Sequence, residues 1–178
     1  MKFCSECGGN ISLHIPSGED RQRHVCDACH TVHYRNPNII TGTIPRRGDA
    51  ILLCRRGIAP KLGLWTVPAG FLELGESVED GAIRETREET RADVRIQTIH
   101  GIYSIPRIGQ VYMLYQAELL STDFGPTPES SEVRLFREAE IPWSEIAFKV
   151  VEQALRDYFA HLKSPRPLPF TEFRDPLA

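Results

Sequence analysis

The chain lacks a surplus of either charge, any long apolar run and any internal repeat. Its 178 residues carry 21 Lys and Arg against 24 Asp and Glu, a formal net charge of −3, so no bulk basicity draws it to nucleic acid or an anionic membrane. No stretch approaches the roughly 20 apolar residues of a membrane span. The start, "MKFCSECGG", has no apolar core of the kind a signal peptide carries. These absences point to a cytoplasmic protein with no membrane partner. No helix-turn-helix pattern is evident either. What is present describes an ordinary globular chain, 41% hydrophobic and 25% charged, long enough for one cored domain and a small appendage.

Cysteine is scarce and unevenly placed. Four of the five cysteines fall in the first thirty residues, as Cys4 and Cys7 in "CSEC" and Cys26 and Cys29 in "CDAC". Cellular thiol buffers disfavour a disulfide framework in the cytosol, whereas two C-x2-C knuckles at this separation suit a zinc ribbon. Four thiolates complete a tetrahedral Zn²⁺ shell and leave no position for water, so the metal is expected to be structural. With few large apolar residues, the segment needs that metal to fold. His14, His24, His30 and His33 lie nearby and are read as surface or packing residues. Cys54, in the apolar run "AILLCRRG", is read as a buried strand thiol. Residues 1–36 hold Lys2, Arg21, Arg23 and Arg35 against Glu6, Glu19, Asp20 and Asp27, a formal balance of zero. A nucleic-acid module would carry a basic surplus; a scaffolding or dimer-building ribbon would not.

After the linker "YRNPN" the pattern changes. "IITGTI" and "AILLCRR" read as strands joined by the turn "PRRGD", and "VRIQTIHGIYSI", "QVYMLYQAELL" and "EVRLF" as further strands. "FKVVEQALRDYFAHL" repeats its apolar residues at helical spacing. Strands with interspersed helices imply an α+β domain, a mixed sheet covered by helices. The expected division is 1–36, 37–163 and a tail 164–178 whose four prolines make it extended or loosely docked.

Between strands lies "GFLELGESVEDGAIRETREET", with seven acidic residues in twenty-one positions. Ser77, followed by Asp80, opens a helix expected over about 77–90. On that helix Glu85, Glu88 and Glu89 share one arc of about 100°. A solvated helix with Arg84 reaching Glu88 explains the charges alone. It does not explain why a glycine-rich turn and Glu76 precede the helix at this spacing. A hard divalent cation, which takes oxygen ligands, explains the crowding.

The stretch resembles the box of the Nudix hydrolases, G-x5-E-x7-R-E-U-x-E-E-x-G-U with U a bulky aliphatic residue. Gly70, Glu76, Arg84, Glu85, Glu88 and Glu89 match in register, whereas Thr86, Arg91 and Ala92 depart from it. Arg91 stands where the family has glycine, and because positive φ is costly for arginine the helix exit is expected to differ. The resemblance implies a Nudix α/β/α sandwich with a mixed sheet, and hydrolysis of a nucleoside diphosphate linked to another group. It implies that Glu85, Glu88 and Glu89 hold catalytic Mg²⁺ or Mn²⁺, with a backbone carbonyl near Ala69, while Arg84 and Glu76 pair to brace loop and helix. The base often comes from outside the box; of Glu129 and Glu132 in "GPTPESSEVRLF", Glu132 is preferred.

Substrate class rests on weaker marks. The Ser-Gln-Pro-Trp-Pro-Phe-Pro motif of NADH pyrophosphatases is replaced by "SIPRIGQVYMLY". Pro106 lies near the position of a proline in ADP-ribose-type members, and "VHYRNPN" resembles zinc-ribbon relatives that split FAD. The expected substrate is therefore FAD or ADP-ribose, cleaved to AMP and a second phosphate, with Arg107, Tyr103, Trp65 and Tyr112 as candidate contacts. A homodimer is expected because ADP-ribose-type relatives commonly form one. A ligand-sensing module, or an enzyme for NADH or oxidised nucleoside triphosphates, are the alternatives.

Overall fold

Three short antiparallel strands, β1 (Ile11–His14), β2 (Arg23–Cys26) and β3 (Val32–His33), pair in the order β1-β2-β3 and hold together the first of two units, Met1–Asn36. The buried hydrophobic side chains of this unit are Cys4, Val25 and Cys26, too few for an apolar core to stabilise it unaided. The computed structural model describes residues 1–171.

The second unit begins at Pro37. Its strands are β4 (Asn38–Arg47), β5 (Ala50–Arg56), β6 (Trp65–Thr66), β7 (Ala69–Phe71), β8 (Val94–Ile105), β9 (Gln110–Leu119) and β10 (Ser130–Arg137), with helices α1 (Val78–Thr90) and α2 (Lys149–Lys163). The sheet runs β10-β5-β4-β9-β8, with β6 on β5 and β7 on β4; β4 and β9 are parallel and the other pairs antiparallel, so the sheet is mixed. The hairpin between β4 and β5 is tighter than the turn "PRRGD" suggests. Strand pairing continues to Arg47 opposite Ala50, and Gly48, at φ 61°, makes the reversal.

Period-two alternation sorts side chains between the faces. Ile40 and Ile44 of β4 and Ile51 and Leu53 of β5 join one cluster with Val151, Leu155 and Tyr158 of α2. The intervening residues meet α1: Thr41 Oγ1 donates to Val78 O at 2.8 Å, Thr43 bonds Thr86, and Cys54 lies against Glu89. One helix therefore covers each face, giving the α/β/α sandwich. Edge strand β8 is closed by the chain after α2, where Phe170 N donates to His100 O (2.9 Å) and Ile102 N to Phe170 O (2.8 Å). The tail expected to dock loosely is thus seated at Phe170, 8% exposed; residues 172–178 lie outside the described residues. Among the described residues no helix is long and apolar enough to cross a membrane.

Candidate metal centres and the cavity beside the box

In the first unit the two knuckles share one geometry. Gly8 N donates to Cys4 O and His30 N to Cys26 O, both at 3.0 Å, and the residue after each second cysteine is left-handed, Gly8 at φ 74° and His30 at φ 60°. The four Sγ atoms lie within 4.8 Å of one another, with Cys4–Cys29 at 3.7 Å and Cys7–Cys26 and Cys7–Cys29 at 3.4 Å. A tetrahedral ion with metal–sulfur bonds of about 2.3 Å spaces its sulfurs by about 3.8 Å, so the thiols fit one. Backbone N–H groups of Glu6, Ala28 and Cys29 point at Cys4 and Cys26 sulfurs at 3.4 Å. The Thr31 hydroxyl and then its backbone N–H pull Cys29 down to about 6, whereas Cys7, against the pull of the Gly9 backbone, is pushed up to about 12 by its contacts with Cys29 and Cys26. His33 is closer to the site than its packing role suggests: Nε2 lies 3.2 Å from Cys4 Sγ, an outer hydrogen bond to a ligand sulfur.

In the second unit the box builds a braced loop and helix. Ser77 caps α1, accepting from Asp80 N at 3.1 Å. Arg84 is fully engaged: Nε and Nη2 grip Glu76 at 3.0 and 2.7 Å, Nη1 reaches Glu85 (2.7 Å) and Glu88 (3.1 Å), and Nη2 also donates to Phe71 O. The guanidinium, helped by the Glu73 N–H, holds the Glu76 carboxyl down to about 2. Gly70 is compelled by its neighbour, because a Cβ there would fall inside the Glu85 carboxylate. The helix exit corrects the expectation for Arg91. It adopts φ 61° and ψ 4°, with its N–H bonded to Arg87 O at 2.7 Å. The arginine is exposed, so solvent takes its side chain while its backbone accepts the strain that glycine would avoid.

Glu89 is 7% exposed and accepts from Ala69 N at 3.0 Å. Burial, opposed by that N–H and by Arg56 and reinforced by Glu85 and Glu129, pushes its carboxyl up to about 7. Burial also raises Glu85, against the pull of Arg84. Burial disfavours the anion at Glu85 and Glu89, and Glu88 lies beside them in the cavity lining. Among the described residues the four cysteines are the one group whose ligand atoms lie within 4.8 Å of one another, so these three carboxylates share the cavity without meeting at one point; as oxygen donors they are of the type a hard divalent cation takes.

These groups line a cavity of about 760 Å³, within the range of small-molecule sites. Glu73, Glu85, Glu88, Glu89 and Glu129 supply its anionic lining, and apolar surface comes from residues that include Ile40, Ile105 and Tyr112. Arg107 lines it too. Tyr103 and Trp65, two candidate contacts, do not. Tyr103 is fully buried with its hydroxyl 3.3 Å from Asp157, and Trp65 packs edge-on against Phe136 at 4.8 Å; strand alternation turns both into the α2-side core. Glu132 is also outside the lining. It faces Arg55 at 3.6 Å, whereas Glu129 is anchored into the cavity wall by Gly57 N donating to its carbonyl at 2.7 Å. A register shift between Ser130 and Glu132 separates them. Arg56, Lys61, Phe148 and Lys149 also line the cavity and were not singled out by sequence; nothing in their local pattern marks them.

The model of a family's N-terminal module, "Nudix N-terminal", matches residues 2–35, and that of the NUDIX domain matches residues 37–159. A solved NUDIX hydrolase from Nitrosomonas europaea is 50% identical, with a TM-score of 0.92 over 96% of this chain and 97% of that one. The NAD-capped RNA hydrolase NudC of Vibrio parahaemolyticus is 31% identical over 164 residues, 88% of this chain and 60% of that protein. An ADP-ribose pyrophosphatase of Methanocaldococcus jannaschii is 27% identical over 129 residues, 70% of this chain and 75% of that protein. The chain thus spans about three fifths of the length of the NudC relative.

Proposed function

We propose, from the premise that this chain belongs to the Nudix family and carries that family's zinc-ribbon N-terminal module, that it hydrolyses the diphosphate linkage of an ADP-X nucleotide such as FAD or ADP-ribose. The products are AMP and X-phosphate. The observation that carries this reading is the burial of Glu89 beside Glu85 and Glu88 in a cavity large enough for a dinucleotide.

In this reading Glu85, Glu88 and Glu89 hold Mg²⁺ or Mn²⁺, with the backbone at Ala69. When bound, such an ion neutralises diphosphate charge and acidifies water. The Arg84–Glu76 pair holds the loop against α1 so that the carboxylates keep their spacing. Glu129 takes the proton of the attacking water as its oxygen bonds to phosphorus and the anhydride P–O bond breaks, the electron pair leaving on the departing phosphate. Glu129 replaces Glu132 here because it is the carboxylate lining the cavity. Arg107 contacts the second phosphate. Zn²⁺ on Cys4, Cys7, Cys26 and Cys29 is structural, and the units act as a 1–36 ribbon, a 37–163 hydrolase domain and a 164–178 tail in a cytoplasmic homodimer.

A second reading, cleavage of NAD-type dinucleotides free or as RNA caps, is favoured by the NudC relative, whose match covers 88% of this chain and so reaches into both units. The balanced charge of residues 1–36 favours the free nucleotide. AMP release from FAD, ADP-ribose, NADH, NAD-capped RNA and 8-oxo-dGTP, with Mg²⁺, with EDTA and in Glu88→Gln/Glu89→Gln, tests both. Metal-dependent cleavage of FAD or ADP-ribose, abolished in the double variant, is the expected result. Preference for NADH or capped RNA selects the second reading; no turnover with ligand-induced stabilisation selects a sensor.

A further inference from the structure

Arg56, the last residue of β5, lines the same cavity, and its chemistry is unassigned. Its neighbour Arg55 is engaged elsewhere, donating to Gly63 O at 2.8 Å and facing Glu132 and Trp65. Arg84 is occupied by its carboxylate partners and Phe71 O. Arg56 differs from both. Nε donates to Pro60 O at 2.7 Å, and the guanidinium lies 5.3 Å from the Phe148 ring centroid. Among the described residues, its Nη groups have no protein hydrogen-bond or ion-pair partner.

The position of this cation matters. It lines one cavity with Glu85, Glu88 and Glu89 and with Ile40, Ile105 and Tyr112, so a diphosphate whose metal-bound oxygens face the box and whose base lies along the apolar residues shares that cavity with its guanidinium. A guanidinium whose Nε is tied back and whose face rests on an aromatic ring keeps a fixed plane, and its two free Nη groups match the spacing of phosphate oxygens. Phe148 holds that plane through a cation–π contact. The loop after β5 returns to Arg56 through Arg56 N to Leu64 O and Gly63 N to Arg56 O, both 2.8 Å, so the side chain starts from a pinned backbone.

We infer that Arg56 grips the substrate diphosphate from the β5 side of the cavity, with Phe148 as the residue that positions it. This rests on reading the cavity as a dinucleotide site. The ligand class it selects is a nucleoside diphosphate or its ester, in preference to a nucleoside monophosphate.

The test uses the full chain with Arg56→Ala, Arg56→Lys and Phe148→Leu. Steady-state kinetics on ADP-ribose with saturating Mg²⁺ are paired with calorimetric Kd values for α,β-methylene-ADP and AMP, each with Mg²⁺ and with EDTA. Arg56→Ala is expected to raise KM roughly 10-fold or more while kcat stays within about 3-fold, because a charged bidentate contact contributes more than a neutral one. Its Kd for α,β-methylene-ADP rises in parallel, in EDTA as well, and that for AMP rises less. Arg56→Lys recovers part of the loss; Phe148→Leu raises KM roughly 2- to 5-fold. Unchanged KM and Kd in Arg56→Ala overturn the inference. So does a weakening matched equally by Arg56→Lys with a fall in Tm, which would mark a role in holding the 57–63 loop. If the wild type cleaves nothing yet binds α,β-methylene-ADP through Arg56, the hydrolase reading fails and the grip stands; binding no diphosphate overturns both.

Discussion

Thr43 of β4 and Thr86 of α1 share a hydrogen bond between their Oγ1 atoms, 2.7 Å long, at a point where both side chains are 0% exposed. Thr86 Oγ1 also lies 2.7 Å from its acceptor Ala82 O. The family pattern has an aliphatic residue at Thr86; this chain instead joins helix to sheet with a polar pair. Thr86 donates to Ala82 O and accepts from Thr43, so each hydroxyl is satisfied.

Because the pair is reciprocal, its two halves should fail together. Thr86→Val strands the buried Thr43 hydroxyl and is expected to cost about 1–3 kcal/mol. Adding Thr43→Val removes the stranded group and should restore most of that loss. Urea midpoints of the two single variants and the double variant measure the coupling; additive effects would refute it.

Arg91 supplies the opposite case, a strained residue whose backbone N–H closes the helix on Arg87 O while its exposed side chain has no hydrogen bond or ion pair among the described residues. Arg91→Gly relieves the left-handed conformation at an exposed position and is expected to stabilise the fold by about 0.5–1 kcal/mol. A thermal melt showing a lower Tm would mean the arginine side chain contributes more than its backbone strain removes.

Gly70→Ala should lower metal-dependent turnover roughly 10²-fold without unfolding the chain. The new Cβ displaces the Glu85 carboxylate, and a misplacement of about 1 Å near reacting groups lowers rates roughly 10²-fold. Turnover with Mn²⁺, alongside circular dichroism to confirm folding, decides it.

Two buried groups give stability opposite pH slopes. Glu89 is raised from 4.5 to about 7 in the folded chain, so its contribution is fully present below 4.5 and is lost as pH rises to 7. His100 is lowered from 6.5 to about 4, chiefly by burial; its contribution is present above 6.5 and lost as pH falls to 4. Between 4.5 and 6.5 they oppose each other. In EDTA, Glu89→Gln should therefore lose stability more steeply than wild type as pH falls from 6.5, and be more stable than wild type near pH 7.5. In the wild type, divalent-cation affinity should weaken as pH falls below about 7, since Glu89 must give up its proton to bind. Melts across pH and Mn²⁺ titrations read both effects.

Local pattern was enough for the two cysteine knuckles, the capped helix from Ser77 and the strands β4, β5, β8, β9 and β10, though not for the short β6 and β7, because ligand spacing, helical period and strand alternation are short-range properties. Even the shared arc of Glu85, Glu88 and Glu89 follows from 3.6 residues per turn. Tertiary structure decided which way strand residues face and what meets across the sheet. Tyr103 and Trp65 turn into the core, and Glu129 rather than Glu132 lines the cavity because a register shift precedes Glu132. Arg56 meets Phe148 only because β5 and the start of α2 border one cavity. Such meetings depend on pairing register and packing between distant segments, which no local periodicity encodes.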